Sequence, residues 1–67
     1  MIQIVVNGNP HSFEQPLPVS ELVSRLSLAG RKIAVERNGE IVPKSAHPAT
    51  LLADGDRLEI VIAVGGG

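Results

Sequence analysis

Arg57-Leu58-Glu59-Ile60-Val61-Ile62-Ala63-Val64 decides how the rest of this chain is read. Leu58, Ile60, Ile62 and Val64 fall on one side of an extended backbone, and Glu59, Val61 and Ala63 on the other. The stretch is rich in β-branched residues and carries no proline or glycine, so it predicts a strand from Arg57 to Val64. Asp54-Gly55-Asp56 supplies the turn before it, and Gly65-Gly66-Gly67 follows it. A strand this apolar belongs in the middle of a sheet. The opening segment, Met1-Ile2-Gln3-Ile4-Val5-Val6, has the same character and predicts a second central strand.

Between these two ends the pattern changes twice. Asn7-Gly8-Asn9 is a hairpin signal, leading into a weaker strand from Pro10 to Glu14. Pro10 has no N–H for a ladder, which places that strand at an edge. After Pro16 and Pro18, the apolar residues Val19, Leu22, Val23 and Leu26 recur at i, i+3, i+4 and i+7. They predict an amphipathic helix of about ten residues, with a Glu21–Arg25 pair on its outer face and Gly30 as the terminating glycine. Ile33 to Arg37 reads as a strand, Asn38-Gly39 as a second hairpin turn, and Glu40-Ile41-Val42 as its return. Pro43 stops it. Residues 44–53 are irregular, with Leu51 and Leu52 as expected core plugs.

The predicted order is β-β-α-β-β-β. One helix covers only one face of a sheet. The first and last strands, separated by a helical connection, pair in parallel at the centre. This is an α+β fold of the β-grasp, or ubiquitin-like, type: a mixed sheet of four to five strands with one main helix on one face. Residues 1–64 form the domain, and residues 65–67 form a flexible tail.

Composition removes several function classes. With 67 residues the chain is one domain. It has no cysteine, which excludes disulfides and cysteine-based zinc sites. Six basic residues stand against seven acidic ones, scattered along the chain, and Phe13 is the sole Phe, Tyr or Trp. Neither a basic groove nor a stacking platform for nucleic acid can be built from that set. No apolar run reaches membrane-spanning length, and no signal segment opens the chain, so an intracellular, cytoplasmic location is expected.

The glycines carry the functional argument. Gly8, Gly30, Gly39 and Gly55 each fall at a predicted turn or cap; Gly65, Gly66 and Gly67 do not. A glycine run packs nothing and loses the most entropy on ordering, so it does not serve the fold. It suits a thin thread ending in an unhindered carboxylate. An enzyme could draw that thread into a narrow channel and activate the carboxylate with ATP. The resulting acyl adenylate would accept a sulfur or nitrogen nucleophile.

Taken together, Ile4-Val5-Val6-Asn7-Gly8, the helix from Val19 to Leu26, Val35-Glu36-Arg37-Asn38-Gly39-Glu40-Ile41-Val42-Pro43, Asp54-Gly55-Asp56 and the tail from Ala63 to Gly67 resemble the ThiS family of sulfur carriers in thiamine biosynthesis. The resemblance covers the whole length. It implies a protein substrate, not an enzyme, with no bound cofactor. A partner adenylating enzyme, E1-like and of the ThiF type, would use ATP and Mg to adenylate Gly67. A cysteine desulfurase or rhodanese-like donor would supply sulfur to form a thiocarboxylate, and a ThiG-type thiazole synthase would take it for the thiazole ring. Rival readings are a molybdopterin synthase small subunit, a protein modifier joined to lysines through Gly67, and a binding module with an inert tail.

Other constellations carry less. His11 and His47 lack companions for a metal site, and Ser45-Ala46-His47 lacks an orienting acid for nucleophilic catalysis. Asp54-Gly55-Asp56 lacks the further ligands of a calcium loop. No catalytic and no metal-ligating residue is expected. The outward-facing Val5, Val61 and Ala63, with Val64, are expected to form an apolar patch at the base of the tail that docks partner enzymes.

Overall fold

A computed structural model describes residues 1–63 of the chain. The elements are β1 (Ile2–Val6), β2 (Asn9–Phe13), α1 (Val19–Arg25), β3 (Ile33–Arg37), β4 (Glu40–Val42), a single 3₁₀ turn (Lys44–Ala46) and β5 (Arg57–Ile62). They build one five-stranded sheet in the order β2-β1-β5-β3-β4. β1 and β5 run parallel at the centre and the other pairs are antiparallel. This is the β-grasp arrangement, with the two apolar end strands side by side as their sequences require.

Both hairpins turn on Asn-Gly. Asn7 and Gly8 have φ of 51° and 83°, Asn38 and Gly39 of 52° and 86°, the paired positive angles of type I′ turns. The two-residue turn makes Val6 and Asn9 a hydrogen-bonded pair, so the next pair, Val5 and Pro10, is not one. The N–H that Pro10 lacks would have pointed away from β1. Proline is therefore accommodated on this edge strand without losing a ladder bond.

The core lies between one sheet face and α1. Ile2, Ile4 and Val6 from β1, Val35 from β3, and Leu58 and Ile60 from β5 are buried against Val19, Leu22 and Val23. Leu17 and Leu52 close the remaining gap, joined where the Leu52 N–H donates to the Leu17 carbonyl at 2.9 Å.

The helix is shorter than its apolar period suggests. It spans 7 residues, and Gly30 does not terminate it. Ser27 takes the left-handed conformation instead (φ 62°). Its N–H donates to Ser24 O, and the Leu28 N–H to Val23 O, the two bonds of a Schellman cap. Leu26 and Leu28 still pack on the core, but from the cap and the following turn. The apolar spacing of a helix thus continues for one step past its last helical residue. Gly30 serves a separate turn (φ 84°).

One expectation about an individual side chain fails. Leu51 is 59% exposed, because its backbone bridges Pro18 and only the neighbouring Leu52 faces inward. Ile62 falls on the side of Leu58 and Ile60 as expected, opposite Ile33 of β3, and is 38% exposed. β5 itself ends at Ile62, with the Ala63 N–H still bonded to Lys32 O; Val64, expected as its last residue, lies outside the described residues.

One polar network ties the last turn to the sheet. Asp56 is buried and accepts from Arg37 Nε (2.9 Å), Asn38 Nδ2 (3.1 Å) and the Ala53 N–H (2.8 Å). Burial pushes the Asp56 carboxyl up. The Ala53 N–H, the Asn38 amide and the Arg37 guanidinium outweigh burial and hold it below the ordinary aspartate value.

Candidate functional site

The path into the tail is set by how β5 is held. On one flank β5 pairs with β3 from Arg37–Leu58 through Ile33–Ile62. On the other flank β1 reaches only Val5–Arg57 and Val6–Leu58 before the chain turns at Asn7. The Asn7 N–H still bonds Leu58 O at 2.9 Å. The Asn7 side chain then replaces the missing strand residue. Its Oδ1 accepts the Ile60 N–H at 2.7 Å, and its Nδ2 donates to Ile60 O at 3.0 Å. One carboxamide substitutes for a peptide group and carries the ladder two residues further. Asn7-Gly8 reads in sequence as a turn signal alone. The second role shows only once parallel pairing brings Ile60 alongside, 53 residues away in sequence.

The docking patch is rearranged relative to expectation. Val61 is 58% exposed on the outer sheet face and Ala63 is exposed. Val5 shares that face but is half-buried and sits beside Arg57 and Pro10. Val61 lies four residues further along β5, roughly 13 Å away at strand rise. Val5 therefore does not join Val61 and Ala63. The parallel register responsible leaves too short a β1 to reach them. The neighbour of Val61 is instead Ala34 of β3, which is exposed. Glu59 pairs with Glu36 one step back, and Glu36 pairs with Ile41 of β4, 65% exposed. The outer face is thus an apolar area of Val61, Ala34 and Ala63, separated from Ile41 by two carboxylates. Ala34, Glu36 and Ile41 are missed by a reading of strands one at a time, since only the β3–β5 register brings them in. Val64, Gly65, Gly66 and Gly67 lie outside the described residues.

The histidines have local structural partners. His11 stacks on Phe13 with ring centroids 6.5 Å apart, and the Arg25 guanidinium lies 5.5 Å over the other ring of that pair, Phe13. His47 is buried with Nε2 3.2 Å from the Val42 carbonyl. Among the described residues no group of three or more His, Cys, Asp or Glu could hold a metal ion, and no helix is long and apolar enough to cross a membrane.

Comparison with known proteins places this geometry. A model of the ThiS family matches residues 4–67. A thiazole synthase of Paramagnetospirillum magneticum is 46% identical over 66 residues, which is 98% of this chain and 20% of that protein. The chain therefore spans about one fifth of that relative's length. The uncharacterized protein ycf40 of Pyropia yezoensis is 35% identical over 98% of this chain and 93% of its own. The crystal structure of the thiamine biosynthesis protein (ThiS) from Geobacter metallireducens superposes with a TM-score of 0.83 at 38% identity, over 98% of this chain and 100% of that one.

Proposed function

The chain belongs to the ThiS family, and from that premise we propose that it is a sulfur carrier of thiamine biosynthesis whose working group is the Gly67 carboxylate. The observation that carries the reading is the match along the whole length to a ThiS structure, glycine tail included in the family match. The carrier supplies a reactive end and a docking surface; catalysis belongs to its partners.

The chemistry follows from the tail. A carboxylate is a poor electrophile. Transfer of AMP from ATP to a Gly67 oxygen, with pyrophosphate leaving, turns it into an acyl adenylate. A persulfide from a cysteine desulfurase or rhodanese-like donor attacks the acyl carbon and AMP departs. A thiol then attacks the outer sulfur of the acyl disulfide, releasing the thiocarboxylate and forming a disulfide. Thiazole synthase takes the sulfur. Gly65 and Gly66 have no Cβ, so they let the thread enter a narrow channel and lie against a nucleotide. The partner enzyme brings the ATP and Mg. The thiazole synthases among the relatives support thiazole synthase as the acceptor.

Intact mass before and after incubation with ATP, Mg, cysteine, a ThiF-type adenylating enzyme and a cysteine desulfurase tests this. A gain equal to exchanging one oxygen for one sulfur is expected, and it disappears when Gly67 is deleted. No gain with partners that load another carrier refutes the reading. Transfer from the loaded protein to molybdopterin synthase and not to thiazole synthase would move it to the molybdopterin pathway, and isopeptide products on lysines would make it a modifier.

A further inference from the structure

A cleft of about 250 Å³ opens at the root of the tail, between the end of α1, the start of β3 and the 3₁₀ turn. Its apolar floor is Val23, Leu28 and Ile33; Val23 is buried and the other two are half-buried. Its rim is Arg31, Lys32 and Lys44, all exposed. Ala63, the last described residue before the tail, also lines it. The chain carries a formal net charge of −1 and six Lys and Arg in all, yet half of those cations stand around this one opening, and among the described residues no carboxylate lines it. Two other clefts mix the signs: one holds Glu14 and Glu21 with Arg25, the other Glu36 and Glu59 with Arg57. The concentration of positive charge is local, not a property of the surface.

The volume falls below the roughly 300–1,000 Å³ usual for small-molecule sites. It suits one inserted side chain. We propose that this cleft docks an acidic segment of the adenylating enzyme, with one large apolar side chain seated on Val23, Leu28 and Ile33 and flanking carboxylates against Arg31 and Lys44. This rests on the sulfur-carrier reading and adds the chemistry of the partner's surface. Contact here, beside Ala63, fixes where the tail starts, and so where its end can reach. Charge complementarity around a desolvated anchor sets orientation and steers encounter.

The test is ATP–pyrophosphate exchange by the adenylating enzyme with the full chain as substrate. Lys44→Glu and Arg31→Glu should each raise KM roughly tenfold with kcat unchanged, as reversing a complementary charge weakens association. KM for the wild type should rise with salt, and the double variant should lose that dependence. Arg25→Glu makes the same change in net charge in the separate, mixed-sign cleft of Glu14 and Glu21 and should leave KM alone. Thermal melts confirm that these exposed substitutions leave the domain folded. If Lys44→Glu and Arg25→Glu move KM equally, or neither moves it, while the wild type supports exchange, the docking site is refuted and the carrier reading stands. If the wild type supports no exchange, the carrier reading falls and the docking site with it.

Discussion

Replacing Asn7 by glycine separates its two roles. Asn7 has φ of 51°, a left-handed angle that glycine adopts without strain, so Asn7→Gly preserves the type I′ turn. It removes the carboxamide that accepts the Ile60 N–H at 2.7 Å and donates to Ile60 O at 3.0 Å. Each such bond contributes about 0.5–1.5 kcal/mol net. Ile60 is 6% exposed, so its freed peptide groups recover little hydration. The extra backbone freedom of glycine in the unfolded chain costs up to about 1 kcal/mol more. The sum is about 1–4 kcal/mol, a large share of the stability of a domain this small. At about 4–8 °C per kcal/mol, the midpoint should fall by at least about 4 °C in a calorimetric or circular-dichroism melt. Amide exchange localises the cause. The Ile60 N–H should lose protection beyond the global change, while the Val5 N–H, bonded to Asp56 O, should follow the global change alone. A melt within about 2 °C of wild type, or equal loss at both amides, would show that the carboxamide does not extend the ladder.

Three further outcomes follow from particular contacts. Asp56 has a folded pKa below its ordinary value, so its stabilising effect is complete above an unfolded value of about 3.9 and is lost as pH falls through the lower folded value; wild-type melting temperature should drop across that acid range, and Asp56→Asn, less stable at pH 7, should show a flatter profile. Ser27 occupies a left-handed cap at φ 62°, so Ser27→Gly should relieve about 1–2 kcal/mol of backbone strain against up to about 1 kcal/mol of added chain entropy, raising the midpoint by a few degrees, with Ser27→Val lowering it. Val61→Asp, on a side chain 58% exposed, should leave the melt within about 2 °C of wild type yet weaken binding to the adenylating enzyme and to thiazole synthase by calorimetry; unchanged affinity for both would remove Val61 from the docking face.

Most of the fold is legible from residues that act locally. Asn7-Gly8 and Asn38-Gly39 specify their hairpins because few other pairs accept two positive φ angles. The alternation of Leu58 with Ile60 specifies an inward face whatever the partner strand. Features that depend on which residues meet across the sheet are hidden. The length of β1 relative to β5 decides that Val5 sits beside Arg57 and not Val61, and no property of Val5 encodes that. The same register gives Asn7 its second function. The helix end is hidden for another reason. A Schellman cap keeps apolar residues packed on the core just past the helix, so Leu26 extends the periodic signal beyond Arg25. Leu51 and Leu52 are chemically identical, and only the bridge between Leu51 and Pro18 determines which of them turns inward.

The placement of β5 in the sheet bears on how a carrier operates. A tail drawn into an enzyme pulls on the strand that precedes it. An edge strand has one ladder and can be peeled from its end, one bond at a time. β5 has a neighbour on both sides, so a pull along its axis loads the two ladders together in shear. The β3 flank is continuous to Ile62 and is extended by the Ala63 N–H to Lys32 O. The β1 flank is the short one, two paired residues, and its deficit falls on the side where the Asn7 carboxamide grips Ile60. On the proposed carrier reading the chemistry lies at Gly67, so the domain must present that residue repeatedly without unravelling toward it. The parallel central pair and the asparagine that lengthens it meet this mechanical demand with few residues, and they leave the apolar and cationic side chains around Ala63 exposed.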